Sequence, residues 1–237
     1  MFDGLLLIDK PSGWTSFDVV AKVRGIVKRE TGLKKPKVGH TGTLDPLATG
    51  LLVLTVGSYC KRAQEFSKLD KVYDVTMKLG LTSTTGDAEG VITRFNPVTG
   101  LNLVKTDKSR LEAVVEEFVG EIMQTPPAYS AIKVNGQRAY KLARAGQEVV
   151  LEPRQTTIYS IDNLEYTYPE IRFTTKVSSG TYVRSLVEDI GKALDTGAYM
   201  TALRRRTIGE FTDENMLQIS ELQDVDKHLI QIPDVKS

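Results

Sequence analysis

The sequence predicts an α+β fold built on a large mixed sheet. Three observations support this class. Alternating or continuous apolar runs recur along the chain and indicate strands. Amphipathic stretches with helical spacing lie between these runs rather than in a separate half. Turn-forming residues join neighbouring strands, and Asn135-Gly136 is a typical hairpin signal, so neighbouring strands are expected to pair antiparallel.

The chain is expected to open with a strand at Gly4–Asp9 and a helix that runs from its N-cap, Thr15, to about Glu30. Asp18 stands three residues after Thr15, which is the spacing of a capping box. The predicted core face of this helix contains four apolar residues, Phe17, Val20, Val23 and Val27.

The next elements are predicted from two contrasting apolar patterns. After Gly50 the continuous run "LLVLTV" indicates a buried strand, and a short helix is expected near Lys61–Ser67. The stretch "KVYDVTMKLG" alternates instead, which is typical of a half-buried strand. Its inward residues are predicted to be Tyr73, Val75, Met77 and Leu79.

The second half continues with mixed elements. A loop, "TSTTGDAEG", and a strand, "VITRF", precede an amphipathic helix at Lys108–Val119, which Gly120 is expected to end. Residues 124–146 contain two adjacent prolines, the hairpin signal and a short basic helix. A strand, "IRFTTKV", and a helix, "YVRSLVEDIGKAL", follow, and a short helix is expected around Ile219–Leu222.

The length of 237 residues allows one large domain or two small ones, and because the sequence contains no clear linker, a single catalytic domain, 1–237, is expected. The chain is 41% hydrophobic and 26% charged, no apolar run is long enough to span a membrane, and the N-terminus does not resemble a secretory signal. The single cysteine, Cys60, suits a reducing cytoplasm, which is the expected location. One cysteine and two histidines argue against a zinc site, and no nucleotide-binding glycine motif is present, so neither metal nor cofactor is expected.

The charge is unevenly distributed. Seven carboxylates and two lysines follow Gly209, a net charge of −5; because the whole chain carries +1, the first 209 residues carry +6. Their bases cluster in the stretches "KVRGIVKR", "KKPK", "RAYKLAR" and "RRR", each of which is a candidate for phosphate contacts.

The stretch "GHTGTLDPLATG", Gly39–Gly50, is the first candidate site. Pro46 favours an extended conformation at Asp45, so this carboxylate is expected to sit on a stiff loop beside a buried strand. An ordinary Asp-Pro turn is an equally good interpretation of this segment alone. A second candidate is "GTYVR", where Arg184 stands in the first turn of a helix. A cation in the first turn interacts unfavourably with the helix dipole, so Arg184 is expected to have a carboxylate partner. The simpler interpretation of the same residues is a buried aromatic, Tyr182, beside an exposed arginine.

Six motifs occur in a characteristic order: "LLLIDKPSGWTS", "GHTGTLDPLATGLL", "KVYDVTMKLG", "QTPPAYSAIKVNGQRAY", "SSGTYVRSLVEDIG" and "LRRRTIG". In this respect the chain resembles the TruB family of tRNA pseudouridine synthases from Leu5 to about Phe211. The resemblance implies the pseudouridine synthase fold, a large mixed, mainly antiparallel sheet flanked by helices. It also implies isomerisation of the uridine at position 55, in the TΨC loop of tRNA, to pseudouridine. It implies tRNA as the partner; a monomer and no membrane association are also expected.

The resemblance assigns a role to each site residue. Asp45 matches the catalytic aspartate, which attacks the sugar, attacks the base or removes a sugar proton. Arg184 matches the arginine that pairs with it, and Tyr73 matches the tyrosine that stacks on the flipped uracil and takes part in loss of the C5 proton. Lys10 matches the lysine of the "KP" motif, which supports the active-site loop, and Tyr182 and Leu203 match residues that line the pocket. His40 matches the histidine that holds the splayed RNA loop, although a structural loop histidine is the alternative interpretation. Residues 124–146 resemble a mobile, basic insertion that grips the RNA.

Several alternatives remain at this stage. Many relatives carry a C-terminal PUA domain, for which the chain after Phe211 is too short; a natural short form and a truncated chain are both consistent with this. A catalytically silent tRNA-binding or folding protein is the main alternative function. A hydrolase that uses His40 and Asp45 is a third, but no Gly-x-Ser-x-Gly turn accompanies them.

Overall fold

The structure is a computed structural model that describes residues 2–96, 107–134 and 136–232. These residues form five α-helices: α1 (Ser16–Thr31), α2 (Ala63–Ser67), α3 (Lys108–Glu116), α4 (Ala139–Arg144) and α5 (Val183–Ala193). The strands are β1 (Gly4–Lys10), β2 (Val38–His40), β3 (Thr49–Val56), β4 (Lys71–Leu79), β5 (Leu81–Ser83), β6 (Ile92–Arg94), β7 (Gly120–Gln124), β8 (Lys133–Val134), β9 (Gln137–Arg138), β10 (Arg154–Thr167), β11 (Glu170–Val177), β12 (Ala198–Ile208), β13 (Phe211–Thr212) and β14 (Leu217–Gln218). Short 3-10 helices cover Gly57–Lys61, Asp213–Asn215 and Asp226–His228.

The strands form a ten-stranded mixed sheet and two small hairpins. The sheet order is β14-β1-β3-β12-β4-β11-β10-β7, with β2 paired to β3 and β13 paired to β12. The pairs β1–β14 and β3–β12 are parallel, whereas β1–β3, β2–β3, β10–β11, β7–β10 and β12–β13 are antiparallel. The hairpins are β5–β6 and β8–β9. The α+β class and the mainly antiparallel sheet are therefore confirmed.

The described chain forms two compact units. Unit 1 comprises residues 1–73 and 204–237, and unit 2 comprises residues 74–203. Strands β4 and β12 contribute residues to both. Compact units need not fold independently, so a single catalytic domain stays a prediction.

The core of unit 1 has two apolar layers, one on each face of β1 and β3. Alternate residues of a strand point to opposite faces. Leu6 and Ile8 of β1 pack in the cluster that contains the buried face of α1, while Leu5 and Leu7 pack in a second cluster with Tyr59 and Phe66. Burial of both faces explains the unbroken apolar run in β3.

Helix α1 begins as the sequence predicts. The Thr15 side chain accepts a hydrogen bond from the Asp18 N–H at 3.1 Å, and Asp18 accepts one from the Thr15 N–H at 2.8 Å, which completes the capping box. Phe17 was wrongly predicted as a core residue, since it is 66% exposed. It lies about 100° from Ser16 around the helix axis, outside the stripe that packs on the sheet, and the buried apolar positions are Val19, Val20, Val23, Ile26 and Val27.

Two other local predictions hold, whereas the predicted extent of α3 is too long. Strand β4 alternates between buried and half-buried residues over Lys71–Leu79, with the predicted residues inward. The hairpin β8–β9 surrounds Gly136, although Asn135 itself lies outside the described residues. Helix α3 is shorter than predicted and ends at Glu116. The amides of residues 117–119 bond three residues back rather than four, so a tight turn replaces the last helical turn.

The predicted helix at Ile219–Leu222 is wrong. Residues 219–221 form a turn after β14, which pairs in parallel with β1. The apolar side chains of Ile219, Leu222 and Val225 are buried in the core cluster that contains α1. Their burial and the pairing with the edge of β1 determine the path of the tail, which local helix preference does not.

Among the described residues, no helix is both long enough and apolar enough to cross a membrane.

Candidate active site

The loop that carries Asp45 lies in unit 1 between β2 and β3. The Ala48 N–H donates to the Asp45 carbonyl at 3.1 Å, which is the hydrogen bond of a tight turn around Pro46. The Asp45 side chain is half-buried and interacts with other groups of the protein. The expected Asp-Pro turn is therefore present, and a turn of this kind also restricts the carboxylate.

The residue before Asp45 is held by α1. The Ser16 hydroxyl donates to the Leu44 carbonyl at 3.1 Å and accepts from the Leu44 N–H at 2.8 Å, and Ser16 is buried. Sequence analysis did not single out Ser16, which stands in the capping motif "TSFD" and contacts the loop 28 residues away. The backbone immediately before the carboxylate is therefore fixed to a helix end.

The residue after Asp45 is held by the turn that follows β1. The Pro46 carbonyl accepts hydrogen bonds from the Gly13 N–H at 2.9 Å and from Lys10 Nζ at 3.2 Å. Lys10 is fully buried, and its ammonium also donates to the carbonyls of Pro11 and Trp14 at 2.8 and 2.5 Å. Carbonyl acceptors on several sides compensate the burial of this charge. Lys10 thus lies against the Asp45 loop, where its predicted supporting role is sterically reasonable.

Arg205 is a site residue that sequence reasoning missed. Its side chain is 1% exposed; Nε donates to the Leu51 carbonyl at 2.7 Å and Nη2 to the Gly42 carbonyl at 3.0 Å. These carbonyls lie on either side of Asp45 along the chain, so one guanidinium connects both ends of the loop. The signal that could have found Arg205 is the alternation of side chains along β12. It places Arg205 on the buried face of the strand and Arg204 and Arg206 on the opposite face.

The neighbouring arginines of the "RRR" stretch are paired with carboxylates. Arg204 forms two parallel hydrogen bonds to Asp9, both at 3.1 Å, and Arg206 forms an ion pair with Asp213 at 2.5 Å. These arrangements reduce the positive charge that the stretch can offer to a phosphate. As a phosphate-binding cluster, "RRR" is therefore weaker than its sequence suggests.

His40 and Tyr73 are the other predicted site residues of unit 1. His40 ends β2, opposite Leu54, and its Nδ1 is buried with no hydrogen-bond partner among the described residues. Burial, and secondarily the charge of Arg205, lower the pKa of His40 below its ordinary value of 6.5. His40 is therefore neutral at pH 7. Tyr73 lies on β4 with an 8% exposed side chain.

In unit 2, Arg184 is buried in the first turn of α5. Its guanidinium donates to the carbonyls of Thr85 at 2.8 Å and Tyr129 at 3.0 Å, and Nε lies 3.7 Å from the buried carboxylate of Asp87. The expectation that Arg184 is exposed is wrong, and the need for a carboxylate near it is met in this unit by Asp87. Its pairing with Asp45, which belongs to unit 1, stays a prediction.

The N-terminus of α5 is bound to the start of the 124–146 segment. The side chain of Gln124 accepts a hydrogen bond from the Tyr182 N–H at 2.8 Å and donates to the Tyr182 carbonyl at 3.1 Å, and Ser185 Oγ donates to the Thr125 carbonyl. Leu203, on β12, is 8% exposed. The bases of the segment are exposed, as an RNA-gripping role requires: Lys133, Arg138, Lys141 and Arg144.

The residues that the structure describes include no group of three or more His, Cys, Asp or Glu side chains that could hold a metal ion. In unit 1 the half-buried carboxylate of Asp45 lies on the loop after β2, and the neutral imidazole of His40 ends that strand. In unit 2 the buried guanidinium is that of Arg184.

Comparisons with known proteins identify the family of the chain. Residues 28–183 match the TruB family pseudouridylate synthase N-terminal domain, and residues 184–231 match the tRNA pseudouridylate synthase B C-terminal domain. The tRNA pseudouridine synthase B of Bacteroides fragilis is 42% identical over 231 residues, which are 97% of each chain. The enzyme of the same name from Burkholderia lata is 43% identical over 226 residues; this chain spans 95% of its own length but 66% of that relative.

Solved structures show the same fold. The chain in a Cbf5–Nop10–Gar1 complex superposes with a TM-score of 0.69 and 30% sequence identity, over 93% of this chain and 53% of that one. A chain in an H/ACA ribonucleoprotein bound to a substrate RNA gives a TM-score of 0.66 at 28% identity. The predicted pseudouridine synthase fold is therefore confirmed. With the motifs in order and both family matches covering its length from residue 28 to 231, the chain belongs to the TruB family of pseudouridylate synthases.

Proposed function

We propose that this chain is a tRNA pseudouridine(55) synthase, which isomerises a uridine in the TΨC loop of tRNA. The reaction breaks the bond between ribose C1′ and uracil N1, turns the base and joins C1′ to C5. The C5 proton is lost and N1 gains one, so no atom is added and no oxidant is consumed. The observation that carries the proposal is Asp45 on a loop whose backbone is bonded on both sides of the carboxylate.

The first step is extrusion of the target base. A uracil stacked within a folded loop cannot present C1′ and C5 to a side chain, so it must be turned out into a pocket. The neutral imidazole of His40 suits the space that the base leaves, because a flat uncharged ring can stack on the neighbouring bases. The exposed bases of residues 124–146 would hold the phosphates of the same arm.

The second step needs an ionised carboxylate at Asp45. A carboxylate removed from water tends to take up a proton unless a cation or hydrogen-bond donors compensate it. The buried guanidinium of Arg184 is suited to this role, because it is always charged and presents five donors in a planar fork. Held by Ser16, Lys10 and Arg205, the Asp45 loop would lose little conformational entropy when the substrate binds.

The third step removes the C5 proton after the base has been rejoined. Tyr73 provides a flat ring for stacking and a phenolic oxygen, which can act directly or through one water. Tyr182 and Leu203 would complete the apolar wall of the pocket. Because the wall excludes water, the detached uracil stays close to C1′ while it turns.

The test is tritium release from tRNA transcript labelled with [5-³H]uridine. The wild-type protein is expected to release one tritium per tRNA, and a transcript with an altered TΨC loop is expected to release none. Asp45→Asn should abolish release while it leaves tRNA affinity within about threefold. Asp226→Asn, an exposed aspartate of the same unit, serves as the matched control and should behave as wild type.

Each outcome discriminates between functions. Wild-type protein that binds tRNA but releases no tritium would favour the catalytically silent binder. Parallel loss of binding and release in Asp45→Asn would mean that the aspartate is structural. Tyr73→Phe should slow release by about 10²–10⁴-fold, the usual contribution of a positioned proton-transfer group, with only a small change in the unfolding midpoint.

A further inference from the structure

A groove lined by basic residues lies on unit 1. We call it the basic groove. Its volume is about 780 Å³, and its walls are the outer face of the second half of α1, the segment that follows this helix, and Cys60. The lining residues that carry the argument are Arg24, Lys28, Lys34, Lys35, Lys37 and Gly39.

The groove concentrates positive charge. Five of its lining residues are cationic, and no carboxylate lines it. The whole chain carries a net charge of only +1, so this surface differs strongly from the average. Within the part of the chain that the structure describes, none of the five cations forms an ion pair with a carboxylate. Five uncompensated charges around a concave surface raise the local concentration of an anionic ligand.

The geometry of the cations favours a long ligand over a small one. Arg24 is half-buried and fixed, because its Nη2 donates to the Val38 carbonyl at 3.0 Å. The four lysines are exposed and act as mobile point charges rather than as a rigid fork. A single phosphate in a fixed cradle would require converging buried donors, whereas a row of phosphates in a sugar–phosphate backbone needs only charges spread along a surface.

One end of the groove adjoins a predicted site residue. Gly39 lines the groove, and the next residue, His40, is the one predicted to hold the splayed RNA loop. Both belong to β2, so the backbone at one end of the groove continues directly into the residue that carries the His40 imidazole. We infer that the basic groove binds the sugar–phosphate backbone of the RNA arm that continues from the loop at His40. This inference rests on the proposed function and adds a second RNA contact surface to it.

The test compares two charge-matched triple variants of the full chain. Lys34, Lys35 and Lys37 are changed to Gln in the groove variant. In the control variant the same change is made at three exposed lysines that each form an ion pair elsewhere, Lys108, Lys192 and Lys227. The equilibrium affinity for unmodified tRNA transcript is measured at KCl concentrations between 50 and 200 mM, and thermal unfolding verifies that both variants fold.

The groove variant is expected to bind more weakly and to depend less on salt. Each lost phosphate contact reduces the slope of log K against log[salt] by about 0.7–0.9, so three lost contacts should reduce it by about 2–3. The control variant should keep the wild-type slope. Equal slopes in the groove variant and the control variant would overturn the inference, whether both keep the wild-type slope or both fall below it by the same amount.

The outcomes for the groove and for the proposed function can be told apart. Affinity reports on the groove, whereas tritium release by the wild-type protein reports on the chemistry. A reduced slope in the groove variant with no tritium release by wild type would support the groove as an RNA-binding surface and refute the isomerase. Normal release by wild type with an unchanged slope in the groove variant would refute the groove alone.

Discussion

Replacement of Arg205 by Met tests whether this buried guanidinium holds the Asp45 loop. The change removes two charge-assisted hydrogen bonds, to the carbonyls of Leu51 and Gly42, and keeps most of the apolar volume of the side chain. Hydrogen bonds to a charged group contribute about 1.5–3 kcal/mol each, so the gross loss is about 3–6 kcal/mol. Relief of the desolvation of a fully buried charge offsets a few kcal/mol of this. We expect a net loss of about 2 kcal/mol in the free energy of unfolding.

The same substitution has a spectroscopic consequence at His40. Burial is the main cause of the lowered pKa of His40, and the charge of Arg205 is the second. Arg205→Met should therefore raise the pKa of His40 part of the way towards 6.5. Arg205→Lys keeps the charge but cannot donate to both carbonyls in the same fork geometry. It should therefore destabilise the loop and leave the titration of His40 nearly unchanged.

Urea unfolding, NMR titration of His40 and tritium release together provide the assay. His228 is the other histidine of the chain and is exposed. Because a displacement of about 1 Å can cost about 10²-fold in rate, turnover at saturating tRNA should fall by tenfold or more in Arg205→Met. A stability loss below about 0.5 kcal/mol, together with unchanged turnover, would show that Arg205 does not hold the loop.

Three further predictions concern glycine conformation, the His40 imidazole and the Glu188 carboxyl. Gly50→Ala should lower the free energy of unfolding by about 3 kcal/mol or more, because φ at this residue is +94° and the added Cβ would overlap the carbonyl oxygen of Arg205. Gly25→Ala in α1 is the control, because the added Cβ meets nothing within 4 Å. It should raise the free energy of unfolding by about 0.5–1 kcal/mol in the same urea assay. The lowered pKa of His40 means that the unfolded chain binds more protons than the folded protein just below pH 6.5, so the free energy of unfolding should fall as the pH drops through that window. His40→Gln should flatten this part of the stability–pH curve. An unchanged slope would contradict the assignment to His40. Burial raises the pKa of Glu188 above its ordinary value of 4.5, so the folded state binds more protons than the unfolded chain, and stability should fall as the pH rises from 4.5 to the folded pKa. Thermal unfolding of Glu188→Gln should show no such fall. If the variant keeps the wild-type slope, the pH dependence belongs to another group.

Predictions from the sequence succeeded where the relevant contacts are local. The capping box joins residues three apart, the hairpin β8–β9 surrounds a turn signal, and the alternation of β4 reflects a period of two. Strand β10 was not predicted, because it pairs with β11 through two register shifts that break a regular alternation. Strand β12 is not predicted by the sequence either, because three consecutive arginines in its second half hide the apolar pattern of a strand.

The sequence by itself determined the family, the chain position of each candidate side chain and the local turn that carries Asp45. The tertiary structure decided what surrounds them. Three consecutive arginines are equivalent in the sequence, yet Arg205 is buried against carbonyls 154 and 163 residues away, while its neighbours bond to carboxylates. The physical reason is that strand alternation separates the faces, but only long-range packing of β12 against β3 decides which face becomes the interior.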